Sequence, residues 1–237
     1  MKRHIPNTIT CCNLICGCIA IRYAILASQG DAERMFLLSV LFIVLGAVFD
    51  FFDGMSARAL GVSSPIGKEL DSLADVVTFG VAPSSILFSL LSLMAYPEWL
   101  QPVQSYLPFA AFVMAGFSAL RLAKFNLDTR QSTQFIGLPT PANALFWGSL
   151  VVGQYALLTS EACNPLYVLA LMLFFCWLLV AEVPMIALKF KNLSWRDNKA
   201  KFIFVLGCLP CFLLGYSCFA AIIVWYAVVS IVTFRRI

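Results

Sequence analysis

Residues 35–58, MFLLSVLFIVLGAVFDFFDGMSAR, and residues 67–94, GKELDSLADVVTFGVAPSSILFSLLSLM, decide the reading of this chain. Each contains an apolar run near the roughly 20 residues that cross a bilayer core as helix. The first run ends on acids, and the second begins on them. Asp50 and Asp53 are three residues apart and Asp71 and Asp75 four apart, so each pair shares one face of its helix. The runs form a hairpin with a short connection. At about 1.5 Å of rise per residue, both pairs lie at similar depth, roughly a turn or two inside the membrane boundary. All four carboxylates can therefore converge on one point.

Ionisable side chains within membrane spans are costly and mark functional sites by default. Four bare carboxylates in a low dielectric would repel one another strongly, and two divalent cations would cancel that charge. An all-oxygen donor set suits hard cations such as Mg²⁺ and Mn²⁺. A pair of metals about 4 Å apart is a common device for displacement at phosphorus. Gly54, Ala57 and Gly67 put small surfaces at the same place, where a backbone or a bulky ligand can come close.

Composition supports the membrane reading outward from this hairpin. Hydrophobic residues make up 61% of the 237 and charged residues 12%, too little charge to coat a soluble surface. The fold class expected is all-α, a polytopic bundle of about eight spans near 8–28, 35–58, 70–94, 104–123, 141–159, 165–188, 202–216 and 218–234. The last two share one apolar stretch broken by Pro210 and Gly215. Length allows one membrane domain over 1–237 and no soluble domain beside it.

Basic residues resist translocation and set the orientation. With an inside N-terminus, all of the sixteen Lys and Arg except Arg22 and Arg34 fall on the cytoplasmic side, and both termini are cytoplasmic. The net charge of +4 thus reports topology, and no nucleic-acid motif accompanies it. The run from Lys189 to Lys201 suits contact with anionic lipid. Asn7, Thr8, Thr10 and Asn13 interrupt the first apolar run and argue against a secretory signal core. The cysteines, nine in all, lie mostly in spans and read as small core residues rather than disulfides or zinc ligands. Histidine occurs once, at His4, so histidine catalysis is set aside. Glu182, close to Pro184, reads as a buried charge in a structural pairing.

The spaced pattern Asp50, Asp53-Gly54, Ala57-Arg58, Gly67, Asp71, Asp75 resembles the signature of the CDP-alcohol phosphotransferase family, with every fixed position filled. The resemblance implies a two-metal centre, Mg²⁺ or Mn²⁺, held by Asp50, Asp53, Asp71 and Asp75. It gives Asp75 the further role of general base toward an acceptor hydroxyl. It implies a membrane enzyme, usually a homodimer, that takes CDP-diacylglycerol near Asn7, Gly54, Ala57, Arg58, Gly67 and Asp71.

A second resemblance narrows the acceptor. Ile5-Pro-Asn7-Thr-Ile-Thr10, Asn13-Leu14 and Gly17, then Arg121-Leu-Ala-Lys124-Phe-Asn126, Thr129-Arg130 and Gly137-Leu-Pro-Thr140-Pro-Ala-Asn143-Ala144, look like the prokaryotic membrane-embedded phosphatidylserine synthases. Residues 1–145 would be the catalytic core and 146–237 additional C-terminal helices. Arg121, Lys124, Asn126 and Arg130 are the candidates for binding phosphate or serine, since Arg suits bidentate oxyanion binding. The location implied is a prokaryotic cytoplasmic membrane, with the site facing the cytoplasm. Two alternatives stay open at this point. Glycerol 3-phosphate or an inositol phosphate could be the acceptor, and an ion or metal transporter would also place carboxylates in spans.

Overall fold

The computed structural model describes residues 4–62, 64–128, 135–186 and 195–234. The chain is built almost wholly of helix. Helix α1 (His4–Leu26) runs into a tight turn, and α2 (Ala32–Ala59) returns antiparallel to it. Asp31 caps α2, its side chain accepting from Arg34 N at 3.2 Å. Helix α3 (Pro65–Asp75) starts where Ser64 caps Gly67 N at 3.1 Å and Pro65 takes the first helical position, a combination that suits the unpaired first N–H groups of a helix. A π-helical turn, Val76–Val81, joins α3 to α4 (Ala82–Leu93), so the whole of Pro65–Leu93 forms one span.

After two 3-10 segments comes α5 (Val113–Leu127), followed by α6 (Thr140–Gly153), the one-turn α7 (Tyr155–Leu158) and α8 (Pro165–Val180). Helices α9 (Trp195–Cys211) and α10 (Cys218–Phe234) complete the described chain. Two short strands, β1 (Phe135–Ile136) and β2 (Pro184–Met185), pair antiparallel and clasp the segments that follow α5 and α8.

Among the described residues, five stretches are long and apolar enough to cross a membrane: His4–Gln29, Ala32–Ala59, Pro65–Leu93, Leu107–Leu127 and Asn198–Thr233. The expected eight differ from these in two interior places, and the expected 202–216 and 218–234 both fall within Asn198–Thr233. The expected 141–159 breaks at Gln154 into α6 and α7. The expected 165–188 stops at Val180, because the chain turns extended at Ala181 and then pairs as β2; Pro184 cannot continue a helix. Glu182 lies in this extended segment and is exposed, which corrects its reading as a buried charge. In the last stretch the breaks fall as expected: α9 ends just past Pro210, and Gly215 takes φ 57. The two helices then pack side by side, with Trp225 Nε1 donating to Phe204 O at 3.2 Å and the indole lying over Gly207. The basic positions Lys189 and Lys191 lie outside the described residues.

The bundle is apolar outside as well as inside, with a few buried polar residues set among its apolar core. Leu41, Phe51, Leu173 and Leu213 stand exposed on its outside, while Thr10, Asn13, Asp53, Thr78 and Ser118 are buried inside. In lipid there is no hydrophobic drive between helices, so close approach at small residues and internal hydrogen bonds must hold them. Both are present. Ser39 donates to Ala20 O at 2.8 Å between α1 and α2. Gly17 of α1 and Gly46 of α2 both face Thr78 on the π-helical turn, and Thr78 Oγ1 donates to Asn13 O at 3.0 Å. At the C-terminal side, Ser149 of α6 donates to Tyr216 O at 2.6 Å and accepts from Ala220 N at 3.0 Å.

Candidate metal centre and active site

The acids come together as their spacing requires. Asp50 and Asp53 occupy the last turns of α2, and Asp71 and Asp75 sit on α3 beside them. Carboxylate oxygens of Asp50, Asp53 and Asp71 all lie within 4.8 Å of one another. Asp75, one turn further along α3, stands next to this group and interacts electrostatically with all three. The structure thus brings three of the four predicted ligands within reach of a single ion and sets the fourth alongside.

The donor set fits a hard divalent cation. It is wholly carboxylate oxygen, and Asp71 Oδ1 is buried with no hydrogen-bond partner. A buried, unpaired carboxylate oxygen is expensive unless a cation or a donor meets it. Mg²⁺ and Mn²⁺ prefer this environment.

Two further bonds hold the acids from α1. Thr10 Oγ1 donates to Asp53 Oδ2 at 2.6 Å, and Asn13 Nδ2 donates to Asp75 Oδ1 at 3.2 Å. Neither residue was singled out for the site from sequence. The signal was present, since two polar residues three apart inside an apolar span share a face and need partners there.

A cavity of about 240 Å³ opens beside the acids, lined by Pro6, Asn7, Thr10, Asp53, Gly54, Ala57, Val62, Ser64, Gly67, Lys68 and Asp71. The predicted nucleotide-side residues Asn7, Gly54, Ala57, Gly67 and Asp71 are therefore gathered on its wall. Arg58 is not on that wall; its guanidinium folds back along α2, with Nη1 3.5 Å from where a Gly54 β-carbon would be. Asn7 Oδ1 crosses to the start of α3, where it would stand 3.1 Å from a β-carbon at Gly67. The small residues matter here because side chains at Gly54 and Gly67 would fill this space.

A second cavity of about 310 Å³ is lined by Arg121, Lys124, Leu127, Asp128, Ile136, Leu179, Val180, Ala181 and Glu182. Arg121 is only 7% exposed. Its guanidinium lies 5.0 Å from the Phe125 ring centroid and interacts with Asp75, and its Nε has no partner. One face of α5 thus presents Arg121 and Lys124, three residues apart, to one space. Asn126 falls on another face. It donates through Nδ2 to Ser72 Oγ at 2.8 Å, and its carbonyl accepts from Lys68 Nζ at 3.2 Å, so it ties α5 to α3 instead of lining the cavity. Arg130 lies outside the described residues.

The arrangement sets an acid cluster that fits a hard cation beside a cavity with small residues on its wall, and a second cavity carries Arg121 and Lys124 together with Asp128 and Glu182. A family model described as CDP-alcohol phosphatidyltransferase matches residues 3–233. The chain is 41% identical over 138 residues to the CDP-diacylglycerol–serine O-phosphatidyltransferase of Bacillus subtilis, a match covering 58% of this chain and 70% of that protein. It is 36% identical over 142 residues to the protein of the same name from Helicobacter pylori, covering 59% and 54%. With the Methanocaldococcus jannaschii protein of that name, identity is 34% over 162 residues, covering 68% and 65%. The match thus spans only about half the length of the Helicobacter relative.

Proposed function

The chain belongs to the CDP-alcohol phosphatidyltransferase family, and on that premise we propose that it transfers the phosphatidyl group of CDP-diacylglycerol to the hydroxyl of L-serine, forming phosphatidylserine and releasing CMP. The observation that carries the reading is the convergence of Asp50, Asp53 and Asp71 beside a cavity walled by Asn7, Gly54, Ala57 and Gly67. Two divalent cations held by the aspartates, Mg²⁺ or Mn²⁺, would offset negative charge on the pyrophosphate oxygens and on the departing CMP.

The chain's own groups do the rest. The small-residue cavity takes the cytidine and pyrophosphate, and Arg58 at its margin supports a phosphate. Arg121 and Lys124 orient serine through its carboxylate from the neighbouring cavity. Asp75 lies between the two groups and accepts the serine hydroxyl proton. The serine oxygen forms a bond to the lipid-side phosphorus, and the bond from that phosphorus to the CMP oxygen breaks. The acyl chains stay in lipid, the site faces the cytoplasm with both termini on that side, and the enzyme works as a homodimer in a prokaryotic cytoplasmic membrane. Residues 1–145 supply the chemistry within one membrane domain.

The test is product analysis. Purified protein in detergent receives CDP-diacylglycerol, Mn²⁺ or Mg²⁺, and labelled serine, glycerol 3-phosphate or inositol phosphate in parallel. Label in phosphatidylserine with equimolar CMP, abolished by EDTA, supports the proposal. CMP release with another acceptor overturns serine while keeping the reaction class. No CMP with any acceptor, despite bound Mn²⁺, overturns the transferase reading and points to a transporter.

A further inference from the structure

Thr10 and Asn13 lie three residues apart on α1 and meet carboxylates on two different helices. Thr10 reaches Asp53 near the end of α2, and Asn13 reaches Asp75 at the end of α3. We propose that these two residues form a bracket that positions the acid cluster: Thr10 aims Asp53 for cation binding, and Asn13 holds Asp75 so that its second oxygen faces the acceptor. The role given to Asp75 rests on the proposed phosphatidyl transfer; the role given to Thr10 rests only on the metal centre.

The geometry supports a role beyond filling space. The Thr10 hydroxyl has one proton and two acceptors in reach, Pro6 O at 3.0 Å and Asp53 Oδ2 at 2.6 Å. A bond to a carboxylate is shorter and stronger than one to a neutral carbonyl, so the proton goes to Asp53. That bond fixes the rotation of the Asp53 carboxylate, which has an oxygen within 4.8 Å of the Asp50 and Asp71 carboxylates.

Asn13 is 0% exposed, and its surroundings hold it from three sides. Its carbonyl accepts from Thr78 Oγ1 on the π-helical turn just after Asp75. Its Oδ1 would lie 2.9 Å from a β-carbon on Gly46. That same Oδ1 has no donor. An amide buried at this cost is explained when Nδ2 is needed where it points, on Asp75 Oδ1. The bond fixes the rotation of the Asp75 carboxylate, so that Oδ2 takes the hydroxyl proton while Oδ1 keeps a second lone pair for a cation. Such supporting contacts fix the orientation of ligating carboxylates in metal sites generally.

The test uses full-length protein in detergent and two kinds of readout. The first is Mn²⁺ affinity without substrate, from electron paramagnetic resonance of free Mn²⁺. The second is kcat and KM for both substrates at saturating Mn²⁺. Thr10→Val is expected to weaken Mn²⁺ binding by roughly 10- to 100-fold, and Thr10→Ser to stay within about 3-fold of the parent. Asn13→Leu is expected to lower kcat by roughly 10- to 100-fold while either KM moves less than about 3-fold.

A role in packing alone predicts a different pattern, in which Thr10→Val and Thr10→Ser bind Mn²⁺ like the parent and differ only in melting temperature. That result overturns the bracket, as does an unchanged kcat in Asn13→Leu. Should Asn13→Leu fail to fold, the smaller Asn13→Ala takes its place in the kcat measurement, and an unchanged kcat there overturns the Asn13 half. A parent protein that makes no phosphatidylserine, yet loses Mn²⁺ affinity in Thr10→Val alone, overturns the acceptor reading and upholds the Thr10 half.

Discussion

Gly46 of α2 faces Thr78 of the π-helical turn so closely that a β-carbon on the glycine would stand 2.6 Å from Thr78 Cγ2. The contact seats α2, which carries Asp50 and Asp53, against the span that carries Asp71 and Asp75. π-Helical turns are uncommon and concentrate at functional sites. This one places Thr78 where its hydroxyl binds Asn13 and its methyl meets Gly46. Gly46→Ala is therefore expected to destabilise the protein by about 1–3 kcal/mol through overpacking and to lower activity in the folded fraction. Gly116→Ala is the control, since nothing lies within 4 Å of its β-carbon position. Thermal melting in detergent, followed by specific activity, checks both.

Asp75→Asn keeps the shape of the side chain and removes its capacity to take a proton. We expect kcat to fall by about 100- to 10,000-fold, with a much smaller loss of CDP-diacylglycerol binding. Single-turnover CMP release set against nucleotide affinity measures the two separately. Equal loss of both would mean that Asp75 serves only to bind metal.

Arg121 and Lys124 share the second cavity, which makes serine affinity their readout. Arg121→Gln is expected to raise the KM for serine at least about 10-fold at saturating CDP-diacylglycerol, because a charge-assisted pair to a carboxylate is lost. Arg121→Lys restores only part of it, since an ammonium cannot reproduce the planar fork. A KM for serine that stays put in Arg121→Gln removes this cavity as the acceptor site.

Gly137 takes φ 75, its N–H donates to Val183 O at 2.9 Å, and a β-carbon there would run into the Leu179 carbonyl. It thus sets the clasp between β1 and β2 just beside Ile136, a wall of the second cavity. Gly137→Ala combines a disfavoured backbone with a clash. Loosened serine binding is the expected outcome, with CDP-diacylglycerol KM nearly unchanged, measured by steady-state kinetics with each substrate varied in turn. A parallel rise in both constants would place the defect in the whole bundle rather than in the clasp.

The clustering of the candidate-site acids was legible before the fold. Asp50, Asp53, Asp71 and Asp75 announce themselves because ionised groups are rare in apolar runs, and their spacing assigns each pair to a helix face. Gly54, Ala57 and Gly67 follow because small residues beside them leave room for a ligand. Asn126 misled, for the opposite reason. It sits two residues beyond Lys124, so the helical period turns it off the face of Arg121 and Lys124, while its partner Ser72 lies 54 residues away on another helix. Thr10 and Asn13 were visible as polar interruptions, but their partners lie 43 and 62 residues away. Glu182 looked buried because apolar neighbours surround it in sequence, whereas the chain has left the helix by Ala181.

By itself the sequence determined that this chain is a bundle of apolar helices with two acid pairs at one depth. Hydropathy, helical period and charge placement are local properties, and they are complete in the order of residues. Tertiary structure decided which α1 side chain meets which aspartate, which cavity receives Arg121, and that Asn126 ties helices together instead of facing a ligand. Those outcomes depend on how far each helix rotates and how closely it approaches its neighbour. Gly17, Gly46 and Thr78 set that approach only when they meet across the bundle.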